Sequence, residues 1–180
     1  MSRIAFLDCE ASSLDADSYP IEIGWILDDG TGASCLIRPE EKWVDWSFES
    51  AKVHGISPVM LARDGLSAAD AGRMAYEALE DCVVHADSSW DGIWLHKLTH
   101  LANLPTIRVW HPYDLYSVEI APLVAGLPRS SAESLAASII RRAEEASDRQ
   151  RTGRHRALDD ARYLYDVWRG VQALAADAAG

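Results

Sequence analysis

The sequence predicts a mixed α/β fold, a five-stranded sheet with helices on its faces. Three observations point there. The first forty residues read as a three-strand meander. From residue 67 onward, helical and extended segments alternate. Hydrophobic residues make up 48% and charged residues 25% of the 180, ordinary globular usage. That length suits one domain spanning 1–180.

Residues 3–9 (RIAFLDC) alternate as a strand, and Ile21–Leu27 (IEIGWIL) reads as a second. The turn Asp28-Asp29-Gly30-Thr31-Gly32 joins it to a third strand over Ser34–Arg38, an antiparallel hairpin. A helix spans 67–81, opened by Ser67 and Asp70. Cys82–His85 is a short strand, 89–102 an amphipathic helix, 107–110 another short strand, and 114–125 a helix. Ser130 with Glu133 caps a helix running to about 147, and a last helix starts near His155 and passes Val171.

No apolar run approaches the roughly 18 residues that a membrane helix needs. The opening MSRIAFLDCE lacks the apolar core and cleavage site of a secretory signal. Cys9, Cys35 and Cys82 are scattered and form no CxxC pair, which argues against a disulfide framework or a zinc site. A reduced, cytoplasmic protein with no membrane partner is expected. The net charge is -11. A protein that coats long duplex by neutralising phosphates is usually basic, so broad duplex binding is not expected. Residues 1–140 carry 9 Lys/Arg and 21 Asp/Glu, whereas 141–156 holds six arginines and three acids. Arg149, Arg151, Arg154 and Arg156 could steer phosphates. The interleaved Glu144, Glu145 and Asp148 weaken that reading, and a solvated helix face with a mobile loop carrying Gly153 explains them better.

Several acids stand where a core should be. Asp8 and Glu10 lie two apart on the first strand and share a face. Like charges that close need a cation, a proton or a donor. Asp91 falls on one helical face with Leu95, Leu98 and Ala102, and Asp160 on one face with Leu164, Val167, Val171 and Leu174. Neighbouring Asp159 is turned towards solvent. Each acid alone also fits a solvated strand end or a helix N-terminus. His155, five positions before Asp160, alone fits a capping residue. Taken together they suit Mg²⁺ or Mn²⁺, which favour oxygen donors, and two such ions can hydrolyse phosphodiesters.

At these residues the sequence resembles the DEDDh branch of the DnaQ and RNase T 3′-5′ exonucleases, which have an RNase H-like fold. FLDCEASSL matches the D-x-E strand, Trp90-Asp91 the aromatic-Asp pair opening a helix, and His155-Arg156-Ala157-Leu158-Asp159-Asp160 the H-x-A-x-x-D motif. HGIS at His54–Ser57 resembles a segment between the third strand and the next helix. The resemblance implies that Asp8, Glu10, Asp91 and Asp160 hold two Mg²⁺ or Mn²⁺ ions, with His155 as general base. It implies nucleoside 5′-monophosphates released from 3′ ends of single-stranded DNA or RNA, or from short oligonucleotides. It maps sugar contacts and the base-wedging leucine to Ala11, Ser12, Ser13 and Leu14, and it brings His54 and Trp90 to the terminal nucleotide. Relatives often form homodimers. Three positions depart from the pattern: Ser13 stands where a glycine is usual, Trp90 where Phe is commoner, and Asp87 where an asparagine is usual. A non-catalytic 3′-end-binding module and a small-nucleotide phosphodiesterase are the alternatives. Of the tryptophans, Trp25, Trp94 and Trp168 read as packing residues, and Trp43 and Trp46 as the candidates for base stacking.

Overall fold

A computed structural model describes residues 3–179; Met1, Ser2 and Gly180 of the expected 1–180 span lie outside the described residues. The strand expected at 3–9 extends over Arg3–Ala11 (β1), and the hairpin partners are Pro20–Leu27 (β2) and Gly32–Arg38 (β3), both pairings antiparallel. The connecting turn places Gly30 at φ 82°, where a side chain would be strained, and Asp29 accepts the Thr31 N–H at 2.9 Å. Cys82–His85 then adds parallel to β1.

The sheet has six strands rather than the expected five. The extra one, Leu66–Ser67 (β4), is two residues long and parallel to β3. It is too short to carry a periodicity. With Cys82–His85 as β5 and Val109–Trp110 as β6, the order is β4-β3-β2-β1-β5-β6. This is the RNase H-like mixed α/β architecture.

Seven helices are seen among the described residues. Phe48–His54 (α1) and Pro58–Asp64 (α2) are unexpected from sequence. Both are single short stretches set by their caps. Ser47 accepts from Ser50 N–H at 3.2 Å, Ser57 accepts from Met60 N–H at 3.3 Å, and Gly55 ends α1 at φ 70°. Ala68–Leu79 (α3) opens at Ser67, as expected, and Ser89–Leu101 (α4) opens at Ser88. Pro112–Val124 (α5) starts two residues early because His111 caps it. Arg129–Gln150 (α6) follows Pro128, not a Ser130 cap; Glu133 instead pairs with Arg129 at 2.8 Å. The last helix is Ala157–Ala179 (α7), so His155 lies before it, in the loop.

Strand alternation sorts the core into two layers. Leu7, Cys9, Ile23 and Trp25 face α3 and α4, where Leu95 and Leu98 are buried. Phe6 faces α5, α6 and α7, against Tyr116, Leu164, Val167 and Trp168. Asp8 and Glu10 share the face of Phe6, so they lie under α7. The helix reaches them because Gly24, opposite Asp8 in the register, has no side chain. An added Cβ there would stand 2.5 Å from Leu158 N. No described helix is long and apolar enough to cross a membrane.

Candidate active site

The acids of the D-x-E strand sit where β1 outruns its neighbour. Parallel pairing with β5 ends at Phe6 and His85, which leaves the Cys9 N–H without a strand partner. Asp91 supplies one. Its Oδ1 accepts the Cys9 N–H at 3.0 Å, and the residue is 1% exposed. Its Oδ2 is buried with no hydrogen-bond partner. Leaving such an oxygen unmatched is costly unless something outside the chain meets it.

The five residues picked from sequence come together in two groups. Oxygens of Asp8 and Asp91 lie with one of Asp87 within 4.8 Å of each other. Donor atoms of Glu10, His155 and Asp160 form the second group within the same limit. Burial, with Asp91, Glu10 and Asp87 nearby, holds the Asp8 carboxyl well above the usual carboxylate range. Burial and the Asp87 charge raise Asp91 in the same direction. Glu10 is pushed up to about 7, first by burial and then by Glu22. These groups retain protons unless a cation replaces them. The donors are carboxylate oxygens plus one imidazole, and one buried oxygen is unmatched, so the residues fit a hard divalent cation.

Asp160 is partly engaged. Its Oδ2 accepts the His155 N–H at 3.1 Å, and Arg151 pairs with its other oxygen while lying 4.6 Å from the Tyr163 ring centre. Asp159 is half-buried rather than solvated, and a Cβ on Gly153 would meet its carboxylate at 2.1 Å. Gly153 therefore serves close packing here. His155 itself sits at φ 57°, a left-handed conformation uncommon outside glycine.

The arginines expected to steer phosphates are largely used within the chain. Arg154 pairs with Asp148 at 2.5 Å. Arg156 makes two bonds to Glu22, at 2.7 and 3.0 Å, and Glu22 also accepts the Ala157 N–H at 3.1 Å. Glu22 is 2% exposed and lies opposite Glu10 in the β1–β2 register. Sequence reading missed it, although an acid inside IEIGWIL was the signal.

A cavity of about 310 Å³ opens over these groups, lined by Asp8, Glu10, Ala11, Ser13, Leu14, His54, Asp91 and His155. Leu14 is 74% exposed at its rim. Ser12 and Ser13 are buried, and both hydroxyls donate to Asp45 Oδ2, at 2.8 and 2.6 Å. Ser13 is not among the positive-φ residues, so its place needs no glycine. His54 Nδ1 accepts the Ile56 N–H at 3.0 Å, while its buried Nε2 has no partner; burial lowers its pKa and keeps it neutral. Trp90 does not line this cavity. It stacks on Trp94, with ring centres 5.6 Å apart, and Trp94 is the tryptophan at the wall, its Nε1–H donating to Ser18. Trp43 stacks on Tyr19 at 5.1 Å and Trp46 meets His54 edge-on, so both pack within the chain.

No family model matches the chain, and no curated protein matches it in sequence. Solved structures do match. The zinc-bound E. coli exonuclease I–ssDNA complex superposes with a TM-score of 0.70 at 12% identity, covering 97% of this chain and 41% of that one. Exonuclease I from Methylocaldum szegediense gives 0.62 at 18% identity, covering 96% and 41%. Cell-death related nuclease 4 (CRN-4) gives 0.64 at 14%, covering 94% and 63%. The chain thus spans less than half the length of exonuclease I, and the likeness is one of fold.

Proposed function

We propose that residues 1–180 form one cytoplasmic 3′-5′ exonuclease domain of the DEDDh, DnaQ/RNase T type, acting on single-stranded DNA or RNA 3′ ends or short oligonucleotides. The observation that carries this reading is that Asp8, Glu10, Asp91 and His155 line one cavity, with an oxygen of Asp160 within 4.8 Å of donor atoms of Glu10 and His155. The exonuclease fold of the structural neighbours supports it.

Asp8, Glu10, Asp91 and Asp160 would hold two Mg²⁺ or Mn²⁺ ions. When bound, such ions supply water activation and charge stabilisation at the scissile phosphate. The chain's own residues do the rest. His155 stands in the loop, within reach of Glu10 and Asp160, and would take the proton of the attacking water. The water oxygen joins phosphorus, the bond from phosphorus to the 3′ oxygen breaks, that oxygen takes a proton from solvent as the 3′-hydroxyl of the shortened strand, and a nucleoside 5′-monophosphate leaves. Leu14 at the rim would wedge against the terminal base, and Ala11 to Ser13 would hold its sugar. His54 keeps a proton on Nε2 when neutral, because Nδ1 is an acceptor, and would donate it to the nucleotide.

The test is an end-labelled single-stranded oligonucleotide, as DNA and as RNA, incubated with Mg²⁺, Mn²⁺ or EDTA. Metal-dependent shortening from the 3′ end is expected. Asp8→Ala and His155→Ala should each lower the rate by at least about 100-fold. Binding of the oligomer without cleavage, from folded protein in every metal, would replace this reading with a 3′-end-binding module. Cleavage of nucleotides or model phosphodiesters without stepwise shortening would replace it with a small-nucleotide phosphodiesterase.

A further inference from the structure

We infer that Asp87 is a further ligand of the metal centre, making one ion position a three-carboxylate site of Asp8, Asp87 and Asp91. This rests on the divalent-metal reading above and adds to the four acids of that reading. Asp87 stands two residues after the end of β5, and the intervening Ala86 N–H bonds to Trp110 O at 3.0 Å and anchors the chain just before it. Asp8, Asp87 and Asp91 come from three segments, yet each offers an oxygen within 4.8 Å of the others. Oxygens around one Mg²⁺ or Mn²⁺ lie about 2.9–4.2 Å apart, so small side-chain adjustments close the set.

The cluster has a second, independent mark of a ligand. Asp91 is 1% exposed, and its Oδ2 makes no hydrogen bond of good geometry, although the Ser88 N–H also approaches the carboxylate. The other oxygen is fixed by Cys9 N–H, so Asp91 cannot turn away to find water. Asp87 differs from Asp91 in being exposed, and it lines the adjoining depression with His111 and Glu144. A third carboxylate charge raises affinity for a divalent ion, because ligand charge count is the main control on such sites. An asparagine there would offer one neutral oxygen.

The test measures Mn²⁺ binding to the full chain by electron paramagnetic resonance, without nucleic acid. Asp87→Asn and Asp87→Ser are compared with the parent and with Glu10→Gln. Both Asp87 variants should weaken one class of Mn²⁺ by about 10–100-fold and leave any other class unchanged. Glu10→Gln should weaken the other position. Melting curves in EDTA confirm folding; two substitutions at an exposed position guard against the loss of either one. Unchanged Mn²⁺ binding in both variants overturns the assignment. So does equal weakening of every class, which is what loss of net charge alone would cause. Absence of Mn²⁺ binding by the parent itself overturns the metal reading, and that failure is distinct from failure of Asp87.

Discussion

At the scale of single residues, Glu22 explains how the loop before α7 keeps its place. The carboxylate is enclosed, whereas Arg156 is 44% exposed. The two partners are therefore unequal. Glu22→Gln frees a guanidinium that water can reach, and it keeps an oxygen for the Ala157 N–H. It should cost about 1 kcal/mol. Arg156→Ala leaves a buried carboxylate with one backbone donor, and it should cost about 3 kcal/mol. Urea unfolding of both variants checks the order; equal costs would mean that Glu22 is solvated in solution. This residue also marks a limit of sequence reading. Asp8 and Glu10 were legible because their spacing puts both on one strand face. Glu22 was not, because its burial depends on the β1–β2 register and on a helix 135 residues away. The acid was visible in IEIGWIL, but its partner was not.

At the scale of elements, the site depends on how closely α7 rides over β2. Gly24 is the position that permits it, with Leu158 N only 2.5 Å from where a Cβ would stand. The obstacle is backbone, so the helix start must move as a body, and with it Asp160 and His155. Gly24→Ala is expected to cost about 1–3 kcal/mol. It should also lower the proposed exonuclease activity by more than the unfolded fraction accounts for. Thermal melting and a rate measurement on the same preparation separate the two effects; wild-type activity in the folded variant would show that the contact can relax freely. Long elements were legible for a related reason. The stripes Asp91–Leu95–Leu98 and Leu164–Val167–Val171 repeat often enough to reveal a buried face. Helices α1 and α2 have seven residues each and are held by Ser47 and Ser57 caps, and β4 has two residues, so no repeat betrays them. The sequence sets the start of the last helix near His155 without fixing the residue. The φ of 57° at His155 keeps that residue out of the helix, which begins at Ala157.

At the scale of the whole molecule, a chain of net charge -11 concentrates several of its acids under one helix, and protons and cations compete for them. The sign of that competition follows from Glu10. Its pKa rises from 4.5 to about 7 in the folded chain. The folded state therefore holds a proton that the unfolded state lacks. This stabilisation is fully present below pH 4.5 and is lost as pH rises through 7. Asp8 and Asp91 are raised too and act in the same direction. Buried His54 and His85 are shifted down and act oppositely, so a bare pH–stability curve mixes the two. The difference between melting temperature in Mn²⁺ and in EDTA removes the histidines, which are the same in both arms. Below pH 5 the metal must displace protons, and its stabilising effect should be small. Towards pH 8 Glu10 has lost its proton and fewer protons remain to be displaced, so the gain should grow to the order of 5 °C at saturating metal. Differential scanning calorimetry from pH 5 to 8 reads this directly. A gain that is flat or shrinks with rising pH would mean that these acids do not bind the ion, whatever the protein does to nucleic acid.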